Sequence, residues 1–259
     1  MKKPPPSDEA ALALLLHELK LPAFADQYED TALKAEKGGW SHQKYLRQLT
    51  DLELAQRRTR RIQRLLKDSK LPKEKTLATL KQEKLPTKVR RQLPALCEGG
   101  FAERAENVLV FGLPGRGKTH LVSAIGHELV QRGYSVLFTA AVMLVQRLLA
   151  AKKKLELEAE LKRLDNFDAV VIDDIGYIQQ DREEMEVLFT FLAERYERRS
   201  VLITSNLVFS QWGQIFKDPM TTAAAIDRVV HHAQIIEMTG PSHREEESKA
   251  RVAAAKEDA

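Results

Sequence analysis

Hydrophobic positions follow two different periods along this 259-residue chain, and the spacing changes near residue 100. Leu12, Leu15, Leu16 and Leu19 recur at helical spacing, and Leu21-Pro22 breaks that segment. Phe24, Tyr28 and Leu33 make a second helical set that closes at Gly38-Gly39. Ser41 is placed to cap a longer helix that carries Tyr45, Leu46, Leu49 and Leu52 and runs on through Ile62, Leu65 and Leu66. After residue 107 short apolar runs alternate with amphipathic stretches. Strands are expected at 108–111, 136–139, 169–172, 201–204 and 234–237, with helices between them, among others at 121–132 and 182–198. Apolar strands alternating with helices imply parallel βαβ units and a three-layer α/β domain. Between the two regions Pro72, Pro86 and Pro94 punctuate a lysine-rich stretch ending at Gly99-Gly100. The expected organisation is a helical domain at 1–67, a basic linker at 68–100, an α/β domain at 101–247 and a flexible tail at 248–259.

Composition narrows the setting. An apolar fraction of 43% is ample for a core, and the single cysteine, Cys97, cannot form an internal disulfide. The longest apolar region, 136–151, is broken by Gln146 and Arg147, so no span reaches bilayer length. Asp8 and Glu9 follow the basic start at once, which argues against a signal peptide. A cytoplasmic protein without a membrane partner is expected. The net charge of +4 hides an asymmetry: residues 57–91 hold fourteen Arg and Lys against Asp68, Glu74 and Glu83, a surplus of +11. A basic block beside an acidic remainder is the footprint of a polyanion partner, with nucleic acid the first candidate.

The strand at 108–111 leads straight into Gly112-Leu113-Pro114-Gly115-Arg116-Gly117-Lys118-Thr119, followed by His120 and a helix. This is the phosphate-loop pattern in the strand–loop–helix setting that it requires. Glycines let successive backbone N–H groups turn inward around phosphate oxygens, and the helix points its positive end at the same anion. Lys118 is expected to reach the β- and γ-phosphates of ATP, and the Thr119 hydroxyl to ligate Mg²⁺.

The apolar run 169–172 ends in Asp173-Asp174. Acids at the carboxyl end of a buried strand face the phosphate crevice, so Asp173 is expected at Mg²⁺ and Asp174 as base or water-positioner. ATPases of this broad kind often carry Glu at the second position. The shorter Asp arm predicts slow turnover, suited to a switch. The run 201–204 ends at Ser205-Asn206, which reads either as a water-holding amide or as a turn. Arg228 lies in a helix-like apolar stretch, as an arginine finger for a neighbour or as an intramolecular ion pair. His231 and His232 lack a zinc spacing and read as packing or helix-end contacts. Phe209, Trp212 and Phe216, at helical spacing, are expected in the core.

Together the segments 112–120, 171–177, 181–184, 192–200, 203–206, 212–219 and 227–233 resemble the IstB-type insertion-sequence ATP-binding proteins. These are transposition helper ATPases related to the DnaC helicase loaders and the DnaA initiator. The resemblance spans about residues 10–247. It implies an AAA+ fold with sheet order 5-1-4-3-2, ATP-dependent homo-oligomers on duplex DNA, and a cognate transposase that the protein recruits and stimulates. It assigns Asn206 a sensor role and Arg228 a finger acting in trans. Arg244 falls where relatives have Ser-Tyr-Arg, with His243 replacing the Tyr. Two DNA-binding surfaces are expected: the amino-terminal basic region with Arg57, Arg58, Arg60, Arg61 and Arg64, and Lys152-Lys153-Lys154 after the helix at 142–151, where initiator relatives carry an element lining the oligomer's inner face. Lysines there give affinity without base readout.

Other readings use the same residues. A replicative helicase loader shares the chassis and differs in the client held by the amino-terminal domain. A P-loop kinase requires an acceptor pocket and an arginine-bearing lid, and the sequence shows neither clearly. An architectural protein using ATP only to assemble would bind DNA independently of Asp174.

Overall fold

The computed structural model describes residues 8–177, 182–207, 211 and 219–239, and the chain divides into two compact units, Met1–Arg64 and Leu65–Ala259. In the first, α1 (Asp8–Glu18) and α2 (Pro22–Gly38) precede α3 (His42–Ser69), an unbroken helix that continues past the unit's boundary. Pro22 opens α2, and Gly39 ends it in the left-handed conformation at φ 58°. Ser41 caps α3 as expected, its Oγ accepting the Lys44 N–H at 3.3 Å. Of the four leucines on α1, Leu16 is buried while Leu12, Leu14 and Leu15 stay exposed, as does Leu19 just past the helix end. Helical spacing therefore marked the helix correctly and its buried face incompletely.

The second unit is built on five parallel strands: β1 (Asn107–Phe111), β2 (Val136–Ala140), β3 (Ala169–Asp173), β4 (Ser200–Ser205) and β5 (Ala233–Glu237). Their order in the sheet is β2-β3-β4-β1-β5, the AAA+ order anticipated above, and each strand lies within one residue of its expected bounds. The period of two along a strand divides the apolar side chains between two faces. Leu109, Phe111, Val170, Ile172, Val201 and Ile203 pack against α7 (Ala141–Lys153), α8 (Leu157–Asp165), α9 (Arg182–Arg195) and α10 (Pro219–Val230). Val108, Val110, Val171 and Leu202 are equally buried on the other face, which α6 (Lys118–Gln131) covers. Both faces are thus closed, as an all-parallel sheet requires.

The stretch expected as a linker, 68–100, is structured and belongs to this second unit. It contains α4 (Thr87–Glu98), which packs on α6 and buries Val89, Leu93, Leu96 and Cys97; α5 (Gly100–Glu103) follows directly. Those four positions follow a helical i, i+4, i+7, i+8 rhythm that lysines and prolines obscured. Pro86 stands at the N-cap, where its missing N–H is no loss, and the packing of α4 tolerates Pro94 within the helix. Burial, reinforced by the Glu128 charge, pushes the Cys97 thiol up to about 11 and leaves it unreactive. The preceding segment runs along α6: the His127 ring meets the Pro72 carbonyl at 2.9 Å, and Leu71 sits against Gly126.

Candidate nucleotide site

At the carboxyl edge of the sheet the chain leaves β1 through Gly112. The Gly112 N–H donates to the Ser205 carbonyl at 3.2 Å, and the Met238 N–H donates to Phe111 at 2.7 Å, so the loop begins between the ends of two neighbouring strands. A Cβ on Gly112, whose φ is 154°, would come within 2.6 Å of the Met238 carbonyl oxygen. Only glycine fits there. Arg116 reaches back to the same Met238 oxygen at 3.1 Å, while Leu113 and Pro114 form the exposed crest. Gly115 and Gly117 carry φ 79° and 80°, and Gly117 is the N-cap of α6.

Lys118 is only 6% exposed, an unusual place for an ammonium group. Its Nζ donates to the carbonyls of Gly112 at 2.8 Å and Leu113 at 3.2 Å, which holds the charge inside the curl of the loop. Thr119 follows in the first turn of α6, half-buried. His120 turns away from the loop: its Nε2 lies 3.1 Å from the Thr76 carbonyl and 3.2 Å from Thr79 Oγ1.

Asp173 ends β3 on the same edge. Thr204, in β4, donates its hydroxyl to Asp173 Oδ1 at 2.7 Å and accepts the Asp174 N–H at 2.8 Å. Asp174 has φ 58°, a left-handed conformation that Asp tolerates better than most residues. Carboxylate and hydroxyl oxygens are the hard donors that Mg²⁺ prefers, so Asp173 and Thr119 fit that ion in type. Ser205 and Asn206 differ in their contacts. Ser205 makes the turn, its hydroxyl bonding the carbonyl of Leu207 at 2.8 Å and the N–H of Leu207 at 3.0 Å. The Asn206 amide rests on the Gly176 backbone, where a Cβ would fall 2.1 Å from Oδ1, and that buried oxygen has no hydrogen-bond partner. A buried polar oxygen without a partner is uncommon.

Arg228 lies at the far end of the same sheet. Next to it, the Val229 carbonyl accepts the side-chain N–H of Asn107, the first residue of β1, at 3.0 Å. The loop leaves the last residue of that strand, about 13 Å away at the usual rise. The Arg228 guanidinium stacks 4.8 Å from the Phe189 ring; its Nη1 is buried without a partner, and no carboxylate among the described residues pairs with it. His231 meets the Tyr196 hydroxyl at 2.9 Å and His232 faces Glu197 at 3.5 Å; the ligating atoms of Glu197, His231 and His232, all exposed, lie within 4.8 Å of one another.

The basic candidates differ in their engagement. Arg57 is held by Glu53 at 2.7 Å and by the Lys20 carbonyl at 2.8 Å; like it, Arg58, Arg60, Arg61 and Arg64 are exposed on α3. Lys152 pairs with Glu186 at 2.9 Å, and Lys153 and Lys154 stand exposed at the end of α7. Arg244, Asp181, Phe209, Trp212, Phe216 and the tail at 248–259 lie outside the described residues. Spacing rules gave no notice of Thr204, Gly176 or the contact of His120 with Thr76. The one available signal was a threonine closing an otherwise apolar strand.

The family model for IstB-like ATP binding proteins matches residues 14–251. The chain belongs to that family. An insertion sequence ATP-binding protein of Sinorhizobium fredii is 41% identical over 92% of this chain and 80% of its own length. The ATP-binding protein of insertion sequence IS5376 from Geobacillus stearothermophilus is 36% identical over 90% of this chain and 93% of its own. Among solved structures, AMPPCP-bound DnaA from Aquifex aeolicus superposes with a TM-score of 0.53 at 18% identity, over 72% of this chain and 57% of that one, a likeness of fold. This IstB-like chain is an ATP-binding AAA+ protein and, by class, an ATPase. No helix among the described residues is long and apolar enough to cross a membrane.

Proposed function

We propose that this IstB-like ATPase is a transposition helper: it assembles with ATP on duplex target DNA in the cytoplasm, then recruits and stimulates its cognate transposase. One observation carries the assembly part. The backbone beside Arg228 lies at the first residue of β1 and the loop around Lys118 follows its last, about 13 Å on at the usual rise, so Arg228 is set back from a nucleotide held by its own loop. In this reading Arg228 completes the site of a neighbouring copy, and ATP is held at the junction between protomers.

Within each site the loop amides and Lys118 bind the phosphates, and Thr119 and Asp173 hold Mg²⁺, which when bound neutralises charge on the phosphate oxygens. Asp174 takes a proton from the attacking water, and Asn206 orients that water with its unpaired amide. The short arm of Asp174 keeps hydrolysis slow and open to regulation by DNA, assembly or transposase. Exposed cations on α3 and at the end of α7 meet phosphates without reading bases.

The test is complementation between two inactive proteins. Lys118→Ala and Arg228→Ala are each expected to lose most ATP turnover. Mixed, they regain part of it, because one interface in the mixture carries both residues. Full turnover by Arg228→Ala alone would overturn the trans assignment. Duplex binding that needs ATP, and stimulation of a cognate transposase, test the client; stimulation of helicase loading instead would replace it with the loader reading.

A further inference from the structure

The turn between α7 and α8 presents a leucine where folding has no use for one. Leu155 is 95% exposed, while the next most exposed large apolar residue of the described chain, Leu14, reaches 66%. Leu155 also has φ 60°. The non-glycine residues of the described chain with positive φ are Lys20, Lys70, Ala105, Asp174, Glu197 and Leu155, and only Leu155 among them carries a large apolar side chain.

The backbone explains the conformation and leaves the residue type unexplained. The Leu155 N–H bonds the Lys152 carbonyl at 3.0 Å and the Glu156 N–H bonds the Ala151 carbonyl at 2.8 Å. That paired closure ends a helix on one left-handed residue, a position where glycine or asparagine is favoured. A single exposed leucine is ordinary, and a single left-handed residue is ordinary in this chain. Their coincidence breaks two local preferences at once, and such violations collect at functional positions.

The surroundings indicate what the side chain meets. Lys153 and Lys154, immediately before it, are exposed and pair with no carboxylate among the described residues, while Lys152 is tied to Glu186 at 2.9 Å and braces the base of the tip. Glu156 stands at the N-terminal end of α8, where the helix dipole favours a carboxylate, and Glu158 is neutralised by Lys162 at 2.6 Å. An apolar knob behind two cations suits a nucleic-acid backbone better than an apolar protein surface, because the cations would lose hydration there without a partner.

We propose that Leu155 is an apolar wedge that enters the duplex at a base step while Lys153 and Lys154 hold the flanking phosphates. The proposal rests on the DNA-binding reading above and deepens it: contact at this tip unstacks and bends the duplex.

The test compares Leu155→Gly, Leu155→Ala and the double variant Lys153→Ala/Lys154→Ala in the full chain with ATP. Duplex affinity is measured across a salt series, and 2-aminopurine fluorescence reports unstacking. Leu155→Gly relieves the left-handed strain, so its melting temperature should equal or exceed that of the parent, which separates loss of function from loss of fold. Both leucine variants should lose the 2-aminopurine signal and about tenfold or more in affinity, with the salt slope unchanged. The lysine variant should lower the salt slope by about 2. Normal affinity and unstacking in Leu155→Gly, with the lysine effect intact, would remove the wedge and leave DNA binding standing. Reduced transposase stimulation with normal DNA signals would also remove it, making Leu155 a protein contact. Failure of the parent to bind duplex would end both readings.

Discussion

Thr204 donates its hydroxyl to Asp173 across 2.7 Å, and the same oxygen accepts the Asp174 N–H at 2.8 Å. One side chain on β4 thereby holds both acids at the end of β3. Valine has nearly the same shape and no hydroxyl. Thr204→Val is expected to cost about 1–3 kcal/mol, since the Asp174 N–H loses its acceptor. ATP turnover should fall roughly 10–100-fold, with more magnesium needed for half-maximal rate. Steady-state assays across a magnesium series check this; an unchanged magnesium dependence would show that Thr204 does not position Asp173.

Asp174 is left-handed at φ 58°, a conformation that Asn also tolerates. Asp174→Asn should therefore fold normally and lose about 10²–10⁴ in turnover if the carboxylate acts as base. Nucleotide binding should survive, seen as an ATP-dependent rise in melting temperature equal to the parent's. Parental turnover in this variant would move the base elsewhere.

Arg195 is 3% exposed and donates to the carbonyls of Leu164 at 3.0 Å, Phe167 at 2.9 Å and Ser200 at 2.9 Å. These carbonyls sit where α8 ends, β3 approaches and β4 starts, so one guanidinium ties together the entries to the two strands carrying the acids and Thr204. Burial lowers its pKa to about 10, which leaves it charged at neutral pH. Arg195→Met strands those acceptors and should destabilise the chain by roughly 3 kcal/mol or more. Chemical denaturation measures it; a change below about 1 kcal/mol would mean that water replaces the guanidinium.

Glu53 is buried on α3 and accepts the Ala23 N–H at 2.9 Å, capping α2 from outside because Leu21 has no capping side chain. Burial alone would raise this carboxyl, but the Arg57 guanidinium and the Ala23 N–H outweigh it and hold the group below its ordinary value. A lowered folded pKa gives stabilisation that is complete above the usual carboxylate range and disappears as pH falls through the folded value. Protection factors of the α2 amides in the full chain, exchange rates corrected for the intrinsic pH dependence, should fall below about pH 4. Glu53→Gln should exchange faster at neutral pH and show less of that acid dependence.

The phosphate loop and the acidic strand end were legible because their chemistry is contiguous: a glycine-rich turn and its helix occupy neighbouring residues, and Asp173 follows its own strand directly. The strands β1, β3 and β4 were legible because both their faces are buried, so each reads as an apolar run, whereas β2 and β5 are buried only in part. Thr204 escaped notice because its partners lie 30 and 31 residues away. The stretch at 68–100 was misread because its lysines outnumber the few apolar positions that α4 buries, and periodicity over one short helix is a weak signal beside three prolines.

Local order along the chain by itself determined which residues form each strand, where the phosphate-binding turn lies, and that acids follow β3, since conformational preference and apolar spacing act between near neighbours. Only the tertiary structure decided that Thr204 braces both acids, that Ser205 takes the turn and leaves the Asn206 amide unpaired, and that Arg228 stands at the opposite end of the sheet from Lys118. Those relationships depend on the parallel order β2-β3-β4-β1-β5. The order arises because crossover helices must close both faces of the sheet, and no short window of sequence carries that requirement.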